Sequence, residues 1–181
     1  MKLIPTDIPD VLIVEPNVFG DGRGFFFESY NEKKFMEMTG LQVIFVQDNH
    51  SRSKKHVLRG LHYQIQQPQG KLVRVISGEI FDVAVDIRRS SPTFGKWVGD
   101  YLTAENKKQI WVPSGFAHGF LVLSDVAEVL YKTTDYWALE HERCIRWNDP
   151  VLNVQWPTTG NLLVSEKDGK GVLFQDAEVF P

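Results

Sequence analysis

Arg59-Gly60-Leu61-His62-Tyr63-Gln64 opens a run with a period of two. Leu61, Tyr63 and Ile65 alternate with His62 and Gln64, so the stretch reads as a strand with its two polar side chains on one face. If that face points into a barrel, His62 is a titratable group in a dry cavity. Such a histidine is either satisfied structurally or catalytic. Similar runs surround it. Lys71 to Ile76 and Glu79 to Ile87 flank a tight turn at Ser77-Gly78; Phe81, Val83, Val85 and Ile87 share one face of the second run, Asp82 and Asp86 the other. Trp97 to Leu102, Gln109 to Val112, Ala117 to Leu123 and Ala127 to Thr133 continue the pattern, with turns at Asn106-Lys107-Lys108, Pro113-Ser114-Gly115 and Ser124-Asp125. Many short strands with closely spaced turns predict an all-β sandwich or barrel.

The N-terminal third is more mixed. Val11 to Val14 reads as a strand ahead of Glu15-Pro16, and Phe25 to Tyr30 as an aromatic strand after a glycine-rich turn. Those glycines lack the Gly-Lys-Ser/Thr ending of a phosphate loop, and no helix pattern follows them directly. Asn31 can cap a helix over Glu32 to Met38, stopped by Gly40. This is the one clear helix. Leu41 to Val46 is expected as a strand, and Ser51 to His56 as a solvated basic loop. The tail from Asp135 is less regular. No repeat, low-complexity tract or linker divides the chain, so residues 1–181 are expected to form one domain.

Composition excludes several function classes. The 181 residues are 43% hydrophobic, enough for a sizeable core, and the net charge of −3 gives no electrostatic case for a nucleic-acid partner. The apolar runs are too short to span a bilayer, and Met1 to Asp7 lacks the apolar region of a secretory signal. A single cysteine, Cys144, rules out an internal disulfide, and a thiolate-based zinc site built from one chain is expected to be excluded as well. A cytoplasmic protein without a membrane partner is expected.

The alternation also gathers polar groups. Lys71 shares a face with Val73 and Val75, His118 with Phe120 and Val122, and Tyr131 with Val129. If these apolar neighbours face inward, His62, Lys71, His118 and Tyr131 converge on one cavity. Burying lysine and histidine is unfavourable unless they are paired or used. Any one of them has a structural explanation; four together favour function.

Pro113-x-Gly115-x-x-His118 matches the second motif of the cupins, small jelly-roll barrels. Metal-binding cupins carry two histidines one residue apart and a carboxylate in their first motif. Here that place is His62-Tyr63-Gln64, and the position four after His118 is Val122. Two imidazoles without a carboxylate make a poor metal site. A cupin-type jelly-roll barrel without a catalytic metal or other cofactor is therefore expected.

A more specific resemblance runs in order along nearly the whole chain. Phe19 to Tyr30, Gln47-Asp48-Asn49-His50-Ser51, Leu58 to Gln64, Gly70-Lys71-Leu72-Val73 and Gly78 to Asp86 resemble the dTDP-4-dehydrorhamnose 3,5-epimerase family. So do Trp111 to Phe120, Tyr131-Lys132 and Ser165-Glu166-Lys167-Asp168. The resemblance implies inversion of C3 and C5 of dTDP-4-dehydro-6-deoxy-D-glucose, giving dTDP-4-dehydro-L-rhamnose. By the same resemblance His62 is the base, Asp168 its carboxylate partner, Tyr131 the opposing proton donor and Lys71 the cation at the C4 oxygen. Arg23 and Arg59 match diphosphate-binding positions. Glu28, Gln47, Asp48, Asn49, His118, Glu142 and Lys167 match other substrate-contacting positions. The family's homodimers place an N-terminal segment on the neighbour's sheet, and the extended residues before Pro16 suit that role.

Three other readings stay open at this point. A relative acting on one carbon only, or a 3,4-ketoisomerase, shares most of these residues; Tyr131 beside His62 and Asp168 favours double epimerisation. A metal-dependent cupin such as a dioxygenase lacks ligands. A non-catalytic sugar-nucleotide-binding jelly roll needs the arginines but not the acid–base set.

Overall fold

The computed structural model describes residues 1–158 and 160–181. The N-terminal part holds β1 (Lys2–Pro5), β2 (Leu12–Glu15), β3 (Phe19–Asp21), β4 (Gly24–Phe26) and α1 (Glu32–Thr39). The central part runs β5 (Gln47–Lys54), β6 (Val57–Gln64), β7 (Lys71–Ser77), β8 (Glu79–Asp86), β9 (Trp97–Thr103), β10 (Gln109–Val112), β11 (Phe116–Val122) and β12 (Val126–Thr133). The tail adds β13 (Glu142–Cys144), β14 (Leu163–Val164) and α2 (Glu166–Gly169). Among the described residues no helix is long and apolar enough to cross a membrane.

Two sheets face each other. One has the order β1-β2-β10-β7-β12-β5; the other is β13-β6-β11-β8-β9, with β14 parallel against β6. Between them lies the main core, including Val73, Val75, Ile80, Ala84, Leu102, Ile110, Val122 and Val129. The expected all-β jelly roll is thus present, and the predicted inward faces of β7, β11 and β12 are the observed ones.

The outer faces are covered too, which the alternation alone did not show. Phe81, Val83, Val85 and Ile87 point away from the main core and pack under the irregular tail, against Ile145, Leu152, Trp156, Phe174 and Phe180. Asp82 and Asp86 on the other face of β8 are fully buried. On the other sheet, α1 packs Phe35 against Trp111 and Phe45, with Tyr30 completing an aromatic cluster. The caps follow the sequence: Asn31 Oδ1 accepts from the Lys34 amide at 3.1 Å, and Gly40 closes the helix in the left-handed region at φ 71°.

Three expectations need correction. Leu41 to Val46 is not a strand; Leu41, Val43 and Phe45 pack on the α1 cluster without pairing. The expected loop at Ser51 to His56 instead contains the end of β5, which pairs with β12 from Gln47↔Thr133 to Lys54↔Val126. Its inward face is Gln47, Asn49, Ser51 and Ser53, so it carries no apolar alternation to read. The aromatic strand is confined to Gly24–Phe26, with Phe25 and Phe26 exposed. Within this chain the residues before Pro16 extend the first sheet: β1 pairs β2, and β2 pairs β10.

Two glycines set the closeness of β6 and β11. A Cβ on Gly60, held at φ +123°, would lie 2.6 Å from Gly119 Cα. One on Gly119 would lie 2.6 Å from the Arg59 carbonyl oxygen. Only glycine fits this crossing, which sits beside the pair His62↔His118.

Candidate active site

β6 and β11 place His62 and His118 opposite each other, while β7 and β12 contribute Lys71 and Tyr131 from the facing sheet. All four line one cavity of about 310 Å³. Arg59, Glu142, Lys167, Asp168, Ser51, Ser165, Gly119 and Phe120 complete its wall. The predicted convergence is therefore observed.

His62 Nε2 lies 2.5 Å from Asp168 Oδ1. The Asp168 carboxyl is buried, and a carboxylate can only accept, so Nε2 carries the proton and donates. The ring's lone pair is then on Nδ1. The short helix α2 aims Asp168 at β6, and Ser165 caps it by accepting from the Asp168 amide at 3.1 Å. Burial alone raises the Asp168 pKa. The hydrogen bond and charge of His62 lower it, assisted by the Ser165 hydroxyl and the Gly60 amide, and these prevail.

His118 has its own carboxylate. Its Nε2 is 2.9 Å from both oxygens of Asp82, and both residues are buried. Asp82 was missed in the sequence as a site residue. The signal existed, since alternation set it opposite an apolar face within a strand. A buried acid there needs a partner.

Lys71 is half-buried, with its pKa pushed down to about 8 by burial while the charges of Asp82 and Glu142 oppose the shift. It remains substantially cationic at neutral pH yet weakly solvated. Burial raises the Tyr131 pKa, with Arg59 lowering it and Glu142 raising it, so the phenol holds its proton. Glu142 pairs with Lys167 at 2.5 Å on the rim. Arg59 donates through Nε to the Ser53 hydroxyl at 3.0 Å, leaving its terminal nitrogens available to an anion.

Gln47 and Asn49 stand on the inward face of β5, Asn49 opposite Tyr131 in register. Their side chains bond to each other at 2.9 Å, and Gln47 accepts from the Trp137 amide at 3.2 Å. Gln64 is a strut: its Nε2 donates to the carbonyls of Gln67 and Tyr136, and its Oε1 accepts from the Ala138 amide.

Three expected binding residues lie elsewhere in the chain. Asp48 alternates to the outer face of β5, where it pairs with Lys132 at 2.9 Å. Glu28 bonds to Lys34 and Asn31 beside α1. Arg23 is exposed at the tip of the β3–β4 hairpin, folded onto Asp21. None of the three lines the cavity of its own chain, and neither do Gln47 and Asn49. Cys144 was set aside in the sequence as a lone thiol. Paired with His62 in the β13–β6 register, it comes instead to the acid–base pair, and burial pushes its thiol pKa up to about 12.

A base oriented by a carboxylate, a protonated phenol and a desolvated cation in one enclosed space suit proton abstraction next to a carbonyl. Comparison with known proteins agrees. Residues 5–176 match the family model described as dTDP-4-dehydrorhamnose 3,5-epimerase. The Pseudomonas aeruginosa protein of that name is 66% identical over 181 residues, covering all of both chains. Its Shigella flexneri namesake is 61% identical, covering 99% of each. The structure of a Legionella pneumophila 3,5-epimerase in complex with dTDP-4-keto-L-rhamnose superposes with a TM-score of 0.96 at 53% identity, covering 98% of this chain and 94% of that one.

Proposed function

The chain belongs to the dTDP-4-dehydrorhamnose 3,5-epimerase family, and we propose that His62, Lys71 and Tyr131 carry out its double epimerisation. It is an isomerase of a nucleotide sugar. The substrate in this reading is dTDP-4-dehydro-6-deoxy-D-glucose and the product dTDP-4-dehydro-L-rhamnose.

Both C3 and C5 flank the C4 ketone, so loss of either C–H proton gives an enolate. The reaction is redox-neutral, and the proposed steps need no cofactor. Nδ1 of His62 takes the proton, and Asp168 stabilises the imidazolium that results. Charge gathers on the C4 oxygen, where the Lys71 ammonium stabilises it more strongly than it does the neutral ketone. Tyr131 returns a proton to the opposite ring face. Exchange with solvent takes the proton from His62 and returns one to Tyr131, and the cycle then repeats at the second carbon. Arg59 holds the diphosphate through its forked donors. His118, Gln47, Asn49, Glu142 and Lys167 position the substrate.

The observation that carries this reading is the His62–Asp168 pair in one cavity with Lys71 and Tyr131. Incubation of the dTDP-keto-sugar with the protein in D2O, followed by NMR, tests it. Deuterium at both C3 and C5 with inverted configuration is expected. Exchange at one position only would assign single epimerisation, and no exchange would remove the enolate mechanism.

A homodimer is part of the proposal. The hairpin β3–β4 projects Phe19, Phe25 and Phe26, each more than 60% exposed, with Arg23 at its tip. This supports its reaching a neighbouring subunit, with Arg23 and Glu28 serving the neighbour's substrate. The cytoplasm is the proposed location, the single Cys144 being a free thiol.

A further inference from the structure

Cys144 has no part in the acid–base scheme, yet β13 lays it directly beside His62. Its sulfur is 4.0 Å from Asp168 Oδ1. A nitrogen of His62, the Cys144 sulfur and a carboxylate oxygen of Asp168 all lie within 4.8 Å of one another. We propose that these three side chains form an inhibitory site for a thiophilic divalent cation of the Zn2+ type, which switches the enzyme off by taking His62 out of the reaction.

One thiolate, one imidazole and one carboxylate are each ordinary zinc ligands, with bonds of about 2.3, 2.0 and 2.1 Å. Tetrahedral placement puts such ligand atoms roughly 3.3–3.6 Å apart. The imidazole–carboxylate contact of 2.5 Å therefore opens, and the sulfur at 4.0 Å closes, each by less than about 1 Å. The sulfur–imidazole separation, within 4.8 Å, closes as well, through side-chain rotation on β6 and β13. Water takes the fourth position, on the cavity side. Glu142 adds favourable charge nearby, whereas the ammonium groups of Lys71 and Lys167 oppose the ion. Binding is thus weaker than at a structural zinc site.

The chemistry balances without a redox step. The thiol releases its proton to solvent as the sulfur–metal bond forms. His62 gives the ion its Nε2 lone pair, so its proton must sit on Nδ1. Nδ1 is the nitrogen that accepts the substrate proton in the proposed mechanism. The ion therefore removes the base as well as occupying space, and substrate and metal exclude each other. Hard cations such as Mg2+, which favour oxygen ligands, do not inhibit.

The test uses the purified full-length protein and two readouts. Co2+ without substrate should produce a sulfur-to-cobalt charge-transfer band in the near ultraviolet, which Zn2+ abolishes. Zn2+ should also stop deuterium exchange into the keto-sugar, reversibly with a chelator. Cys144→Ser, and Cys144→Ala as a second variant with its fold checked by circular dichroism, should turn over normally without metal. Both should lose the band and need at least about tenfold more Zn2+ for inhibition. A cobalt complex without the band, equal Zn2+ inhibition of both variants, or no inhibition at millimolar Zn2+ would overturn the site. The spectroscopic arm does not depend on activity, so its outcome is separable from that of the epimerase reading.

Discussion

Asp168 fixes which nitrogen of His62 holds the proton, and in the proposed mechanism its carboxylate faces the charge that the ring acquires. Asp168→Asn keeps the shape of the side chain but removes that charge. Turnover should fall by roughly 10²–10⁴, while the dissociation constant for dTDP changes little. An equal loss in dTDP affinity would make Asp168 a binding residue instead. Lys71 gives a pH signature. Its folded pKa of about 8 lies below the ordinary 10.5 of a lysine. If Lys71 is the oxyanion partner, as proposed, it must be charged, and kcat/KM should decline as pH rises through about 8. Lys71→Arg, which keeps its charge, should lack that decline at a lower plateau rate. The stability sign is the reverse. Between about 8 and 10.5 the unfolded chain binds more protons at this residue, so stability rises with pH across that window. Lys71→Met should accordingly melt above the wild type at neutral pH while turning over more slowly. Four cavity residues, His62, Lys71, His118 and Tyr131, were legible from strand alternation alone. Asp168 was not, because it sits on a four-residue helix far along an irregular tail, and only the family resemblance pointed to it.

The crossing of β6 and β11 is the element that aligns His62 with His118, and its tolerance is small. In Gly119→Ala the new Cβ meets the Arg59 carbonyl oxygen at 2.6 Å and Leu61 Cδ2 at 3.1 Å. The backbone of one strand must shift, at a stability loss of about 1–3 kcal/mol. Thermal or urea unfolding reads that loss, and the same variant should lose activity beyond what its folded fraction explains. An unchanged midpoint would show that the strands are looser than the register implies. Legibility at this scale followed the apolar code. β7, β8, β11 and β12 alternate against a core, and were readable for that reason. β5 fills its inward face with Gln47, Asn49, Ser51 and Ser53, so a strand at the substrate cavity looked like a loop. Leu41 to Val46 misled in the opposite sense. Its alternating apolar residues serve the aromatic cluster under α1, a packing role that needs no ladder partner.

At the scale of the whole molecule, Arg23 and Glu28, both expected to bind substrate, lie outside the cavity of their own chain, while the hairpin that carries Arg23 exposes three phenylalanines. A second copy resolves both features if each hairpin covers apolar surface on its neighbour and brings Arg23 to the neighbour's diphosphate. Complementation between inactive chains tests the arrangement. Arg23→Ala and His62→Ala homodimers should each be impaired, the first mainly in KM and the second in turnover. Mixed after unfolding and refolding together, half the dimers are heterodimers by random assortment. In each of those, one cavity has an intact His62 from its own chain and an intact Arg23 from the other. Roughly one quarter of wild-type sites should then be restored. If Arg23 served its own chain, every cavity in the mixture would retain a defect and nothing would be recovered. Sedimentation of the wild type decides the prior condition. A dimer at assay concentration is expected, shifted toward monomer by Phe25→Glu, which puts a charge into the covered apolar surface without touching His62, Lys71, Tyr131 or Asp168.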